Sequence, residues 1–411
     1  MSSATIDRRL RLSRAAVFAA FTLNGVLLAM WVVHIPAITG RTGVSASTLS
    51  VLVLVMAGAA LIGMRLAGPA ADRFGSRTLV AMAATAISVT VLGPGLATDP
   101  VTLGIALACF GIGNGALDVS MNAQAVEVER AYGRPIMSAF HAMFSAGGFV
   151  GSLLGAAAQH AGWAPQLTLT CASVGGVLVT AMLVPHLMTR PETTSRPEHY
   201  DRAAAKDSGG TEHTASSGRG HTDPTAARAD TDRTRKVFSL GAIAFVLLLA
   251  EGVAADWSAL QVRDHLDTSA AAAALAFGAF SATMTLGRFL ADRVSAAFGP
   301  VAIVRYGSLL AATGFAIVIT SPWLPLTLLG WALCGLGLAG GVPQIFSTAG
   351  NLGGTTAATD MSRVFTIGYL GLLAGPALIG WLAALIPLTA ALVVPLVLTI
   401  ACAVAAPVVR R

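Results

Sequence analysis

The sequence predicts an all-α integral membrane protein, with twelve transmembrane helices in two pseudo-symmetric six-helix halves. Three observations carry this. Of 411 residues, 55% are hydrophobic and only 11% charged, with mean hydropathy +0.73. A soluble chain of this length has a large core, but not so few charges. Runs of about 20 apolar residues, the length that crosses a bilayer, recur along the whole chain. The first and last parts of the chain also echo one another across a polar middle.

Taken in order, the spans of the first half are read at 15–38, 47–67, 78–97, 101–127, 136–161 and 165–188. Those of the second are read at 237–262, 269–290, 299–320, 323–348, 361–384 and 388–408. The basic N-terminal stretch MSSATIDRRLRLSR lacks a small-residue cleavage site after a short apolar core, so the span from Ala15 reads as a first membrane helix. The domains follow as 1–188, a polar linker 189–236 and 237–411. The linker is rich in Arg, Asp, Ser, Thr and Gly and has no apolar periodicity, which reads as disorder. Its His199, His213 and His221 are too widely spaced for a metal site.

Basic residues set an orientation. With the N-terminus cytoplasmic, all but Arg41 and Arg263 of the 26 Lys and Arg residues fall on the cytoplasmic side or at its helix ends. That asymmetry predicts a multi-pass inner-membrane protein with both termini inside. The net charge of +6 reads as topology, so no nucleic-acid partner is expected. Cys109, Cys171, Cys334 and Cys402 all fall in spans and read as small buried hydrophobes without disulfide or metal spacing.

Polar residues inside spans are costly and face a protein interior or a water-filled path. Asn114, Asp118 and Asn122 recur at four-residue spacing, which puts them on one face of span four. His141 sits in span five. Glu251 lies near mid-bilayer in span seven, about 21 Å along it at 1.5 Å per residue. No basic partner occurs in its own span, so Glu251 ranks first as a group that binds and releases a proton. Asp118 is read either as a second such group or as fixed glue to His141. Asp256 is expected to cap a helix break or touch a ligand.

The halves repeat weakly. GIGNGALDVSMNAQA at 111–125 aligns with GLGLAGGVPQIFSTA at 335–349. Gly111 and Gly113 meet Gly335 and Gly337, while Asn114 meets Leu338 and Asp118 meets Val342. The shared glycines suit close helix packing, and the unshared polar stripe is not required for it. Asn24, Gly25 and Trp31 are echoed by Glu251, Gly252 and Trp257.

Between spans two and three, Gly68-Pro-Ala-Ala-Asp72-Arg73-Phe-Gly75-Ser-Arg77 resembles the signature loop of the major facilitator superfamily, written G-x-L-A-D-R-x-G-R-[RK]. Ala70 and Ser76 depart from it. A degenerate copy, Leu290-Ala291-Asp292-Arg293, follows span eight. The stretch from Asp118 to Ser145, with Glu251 to Trp257, is similar to an uncharacterised bacterial branch related to fucose-permease-like transporters. The resemblance implies a secondary transporter with the major facilitator fold, whose spans one, four, seven and ten line a central cavity. That would bring Asn24, Trp31 and His34 near Asp118, Asn122 and Glu251, with Trp31 free to stack on a ligand. It also implies a conformational latch of Gly68, Asp72, Arg73, Gly75, Arg77, Asp292 and Arg293. Asp72 would cap a neighbouring helix, and Arg73 and Arg77 would pair with Glu127 or Glu129.

The expected function is proton-coupled transport of a small organic solute by a monomer that has only protons, solute and lipid as partners. Absence of a G-x-x-x-x-G-K-[ST] loop argues against ATP as the energy source. No nucleophile–base pair or metal-ligand cluster is visible, so neither enzyme activity nor a cofactor or metal is expected. The rivals are a drug or metabolite efflux antiporter and a non-transporting sensor or scaffold. Gly375-Pro376 lies in span eleven, and its absence from span five weakens the efflux reading.

Overall fold

In the computed structural model, residues 8–189, 224–353 and 356–410 are described. They form twelve long helices and no strand. The first half comprises α1 (Arg8–Thr42), α2 (Ala46–Phe74), α3 (Ser76–Leu96), α4 (Pro100–Tyr132), α5 (Met137–His160) and α6 (Pro165–His186). The second comprises α7 (Pro224–Leu266), α8 (Ala270–Phe298), α9 (Pro300–Thr320), α10 (Leu324–Gly350), α11 (Ala357–Ala383) and α12 (Leu388–Val409). Eleven of these are long and apolar enough to cross a membrane among the described residues; α8 completes the set. Their outer faces carry exposed side chains such as Val404, Phe298 and Met182, as a lipid-facing surface requires.

One correction concerns the middle of the chain. The polar stretch from Pro224 onward is already helical and belongs to α7. Arg233 donates to Asp360 (2.6 Å) and to the Gly353 carbonyl (2.7 Å), which ties this polar turn to the start of α11. The rest of the linker, with its three histidines, lies outside the described residues. A second correction concerns the cysteines: Cys334 and Cys402 are buried, but Cys109 and Cys171 are exposed on the outer surface.

Local chemistry sets the helix ends. Ser45 caps α2 by accepting from Thr48, and Ser269 caps α8 by accepting from Ala272. Asp99 caps α4, where the amide and hydroxyl of Thr102 hold its carboxyl below the usual carboxylate range. Gly75 and Gly299 turn the chain from α2 into α3 and from α8 into α9 at φ 85° and 82°, a region that side chains with a Cβ rarely enter.

Paired glycines, each pair at the same sequence interval, set the packing within the halves. A Cβ on Gly111 would stand 2.2 Å from the Met56 carbonyl oxygen of α2, and one on Gly335 2.1 Å from the Phe280 oxygen of α8. On Gly147 it would stand 2.2 Å from the Thr22 oxygen of α1, and on Gly371 2.0 Å from the Phe245 oxygen of α7. Backbones therefore touch at α2–α4, α1–α5, α8–α10 and α7–α11. One feature breaks the repeat. α10 is interrupted between Leu338 and Gly341, where α4 runs on unbroken and carries Asp118.

The two halves meet along α2–α11 and α5–α8. The end of the bundle that holds the start of α1 and the end of α12 is termed the basal end. Lys236 reaches Arg410 there (3.0 Å), and both signature-type loops lie there.

Candidate functional site

A cavity of about 260 Å³ lies between the halves. Half one lines it with Asn24 of α1, Asn114 and Asp118 of α4, and His141 of α5. Half two contributes Glu251 of α7, Arg288 of α8 and Tyr369 of α11. The polar residues sit on apolar helices that are held in place by the glycine contacts, so their positions are fixed by backbone packing.

The charged groups fall into two sets. Arg288 donates through Nη2 to Glu251 (3.1 Å) and through Nη1 to Ser145 Oγ (2.9 Å), bridging the halves. Across the cavity, Asn122 donates to the Asp118 carboxylate (3.2 Å) and backbone carbonyl (2.9 Å), and its own Oδ1 accepts from His141 Nε2 (3.2 Å). Asp118 is 6% exposed, and its Oδ2 has no hydrogen-bond partner among the described residues. Asn24 Oδ1, Asn114 Oδ1 and Arg288 Nε are likewise without partners. Phe21 and Phe346 flank the His141 ring at 5.3 and 5.9 Å between centroids. The cavity therefore offers a compact polar ligand several unpaired acceptors and donors between aromatic faces.

Towards the basal end the halves are joined by carboxylates at helix tips. Asp72 accepts from the Ala358 amide (3.0 Å) and from the Thr359 amide (2.8 Å) and hydroxyl (2.6 Å), capping α11. Asp292 accepts from the amides of Ser138 (2.9 Å) and Ala139 (2.7 Å), capping α5. Glu129 of α4 shares that tip, accepting from Ile136 and Met137 at 2.9 Å each, and also takes the Ser347 hydroxyl of α10. Arg130 adds bonds to Gly350 and Asn351, and Ser362 donates to the Met64 carbonyl. Gly68 lets α2 approach α11: a Cβ there would lie 2.5 Å from Ser362 Cβ.

Several expectations need correction. Glu251 is not isolated, because Arg288 pairs with it. Asp118 and His141 do not pair directly; Asn122 stands between them. Trp31 and His34 are buried but do not line the cavity, and His34 donates through Nδ1 to the Met30 carbonyl (2.8 Å). Asp256 is exposed, on a helix that runs without a break. Among the described residues Arg73 and Arg77 make no ion pair; Arg73 lies over the Phe74 ring, and Arg293 is exposed. Ser76, at the departure from the signature, donates to Glu127 (2.9 Å).

Arg288, Ser145 and Tyr369 were missed. The signal for Arg288 was present: it stands four residues before Asp292, as Gly68 stands four before Asp72. A charge in place of the signature glycine, inside an apolar span, marks a functional position.

The sequence profile of the Major Facilitator Superfamily matches residues 15–255. The chain belongs to the major facilitator superfamily. Two curated relatives match over nearly the whole length. An uncharacterized transporter of Sinorhizobium fredii is 32% identical over 382 residues, 92% of each chain. An uncharacterized MFS-type transporter of Yersinia pestis is 32% identical over 384 residues, 93% of this chain and 92% of its own. The fold matches the crystal structure of the superfamily transporter FucP in its outward conformation with TM-score 0.75 and 13% identity, covering 98% of this chain and 100% of that one. The protein is thus a multi-pass membrane transporter of this superfamily, related in fold to FucP.

Proposed function

We propose that the protein is a proton-coupled secondary transporter that carries a small polar solute across the inner (plasma) membrane by alternating access. It works as a monomer, with both termini and the linker in the cytoplasm. The carrying observation is the division of charge in the cavity. Glu251 has its counter-ion in Arg288, whereas Asp118, among the described residues, has no ion pair and one carboxylate oxygen without a hydrogen bond, with only the neutral Tyr369 hydroxyl acting on it. A buried charge without compensation is costly. Asp118 therefore takes over the proton-carrying role that its position first suggested for Glu251. FucP is a fucose:proton symporter, which is consistent with this reading.

Protonation of Asp118 and arrival of a solute neutralise the cavity and let the halves rock about it. Asp72 and Asp292 hold the basal end closed in the present state and release in the other. The polar cavity disfavours efflux of a purely apolar compound. The basic loops fit the orientation proposed.

Proteoliposomes loaded with a pH dye and challenged with panels of sugars, amino compounds and organic acids test the reading. A solute that moves protons with it is expected, with proton movement lost in Asp118→Asn while solute exchange survives. A solute that binds and crosses with no proton movement at any pH removes the coupling; one that binds and never crosses leaves a sensor.

A further inference from the structure

A second cavity, of about 620 Å³, opens at the basal end of half one, away from the solute site. Its basic lining is Arg9 of α1, Arg77 of α3 and His186 at the end of α6, and among the described residues no acidic side chain lines it. Its apolar lining includes Leu10, Leu12 and Leu187. Arg77 is half-buried and has no hydrogen bond or ion pair among the described residues, although the signature loop suggested a carboxylate partner. The nearby acids are turned elsewhere, Glu127 to Ser76 and Glu129 to the tip of α5.

The surroundings add positive charge and rigidity. Arg14 and Arg134 both lie over the Tyr132 ring, at 5.2 and 5.8 Å from its centroid. Gln124 holds Met188 through both its amide (3.0 Å) and its carbonyl (2.9 Å), and Ser13 donates to the His186 carbonyl (2.8 Å). The wall at 185–189 is therefore formed before any ligand arrives.

We propose that this cavity binds the phosphate headgroup of an anionic membrane lipid. A half-buried guanidinium without an acceptor calls for an anion, and Arg matches phosphate through two parallel N–H bonds. The occupant is a lipid and not free phosphate because of the cavity's place. It lies where the helices leave the bilayer, its wall is half apolar, and α6 continues from it with exposed Met182 and Leu178 for an acyl chain to follow. Basic pockets between membrane helices on one face of a bundle are the usual form of such sites.

Native mass spectrometry of the full-length protein in mild detergent, titrated with phosphatidylglycerol and separately with phosphatidylcholine, tests this. One phosphatidylglycerol molecule is expected to be retained in preference to phosphatidylcholine. Arg77→Gln and Arg9→Gln should each weaken it about fivefold and the double variant about 25-fold, while the distant Arg263→Gln leaves it unchanged. Arg77→Lys should keep most of the binding. If Arg77→Gln does not fold, Arg9→Gln, at an exposed position, carries the comparison. Retention of the lipid by folded double variant, or loss of it equally in Arg263→Gln, overturns the proposal. Full competition by millimolar inorganic phosphate assigns a free-phosphate site and overturns it too.

Discussion

Replacing Asp72 by asparagine leaves one acceptor oxygen where two served three donors on α11, and removes the charge facing the helix tip. A charge at a partly buried helix N-terminus contributes up to about 2 kcal/mol, and a hydrogen bond to a charged group about 1.5–3 kcal/mol. These overlap, so about 2–3 kcal/mol is expected to be lost from the joined state. That is about 30- to 150-fold in the ratio of joined to parted halves. Asp292→Asn applies the same chemistry to α5 with a smaller result. Glu129 stays on the amides of Ile136 and Met137, so this tip is never bare. About half the loss is expected there, or about 5- to 15-fold. Spin labels at exposed Arg134 and Ala297, with the four native cysteines replaced, would report the distance between the halves by pulsed electron paramagnetic resonance in lipid nanodiscs. The longer-distance population should grow in Asp292→Asn and grow further in Asp72→Asn. Equal effects, or a larger one in Asp292→Asn, would refute the role given to Glu129. No change in either would refute the role of the carboxylates.

Three further outcomes follow from the geometry. Glu251→Gln and Arg288→Met should each lower thermal stability and transport, by about 3–5 kcal/mol if the partner stays charged and unpaired, and the double variant should recover part of the loss; additive losses would mean the pair is not coupled. Gly115→Val should destabilise by about 1–3 kcal/mol or more, because its Cβ would stand 2.0 Å from the Ala60 carbonyl oxygen, and Gly371→Val should match it against Phe245; unchanged melting temperatures would contradict the packing described. In intact cells, cysteine at exposed Arg263 should react with a membrane-impermeant thiol reagent and cysteine at Arg134 should not; the reverse pattern inverts the orientation.

The spans were legible because hydropathy is a property of each segment alone. Asp118 and Asn122 were found for the same reason: a polar residue in an apolar helix stands out by itself. What hydropathy does not carry is the rotation of a helix about its own axis. Trp31 sits at a plausible depth and turns away from the cavity. Partnerships between helices were also hidden. Glu251 looked unpaired because its cation comes from α8, and Arg288 had been read with the basic residues of helix ends. The start of α7 was misjudged for a related reason. Its polar first turns look like a linker until Arg233 finds Asp360 on α11. The contacts of Asp72 were more predictable, since a carboxylate in the last turn of a helix needs donors and a neighbouring helix tip offers them.

The glycine contacts have a mechanical consequence. Where two backbones already touch, neither helix can slide without a carbonyl striking the next chain, so each half is stiff. The seam between halves is built differently. Apart from Gly68, the Arg288–Ser145 bridge and the Ser362–Met64 bond, it is pinned by a few side chains seated on helix tips, each of which can let go without deforming anything behind it. Thermal motion is thus steered into one soft coordinate, and the small set of pins named here decides how often the protein travels along it.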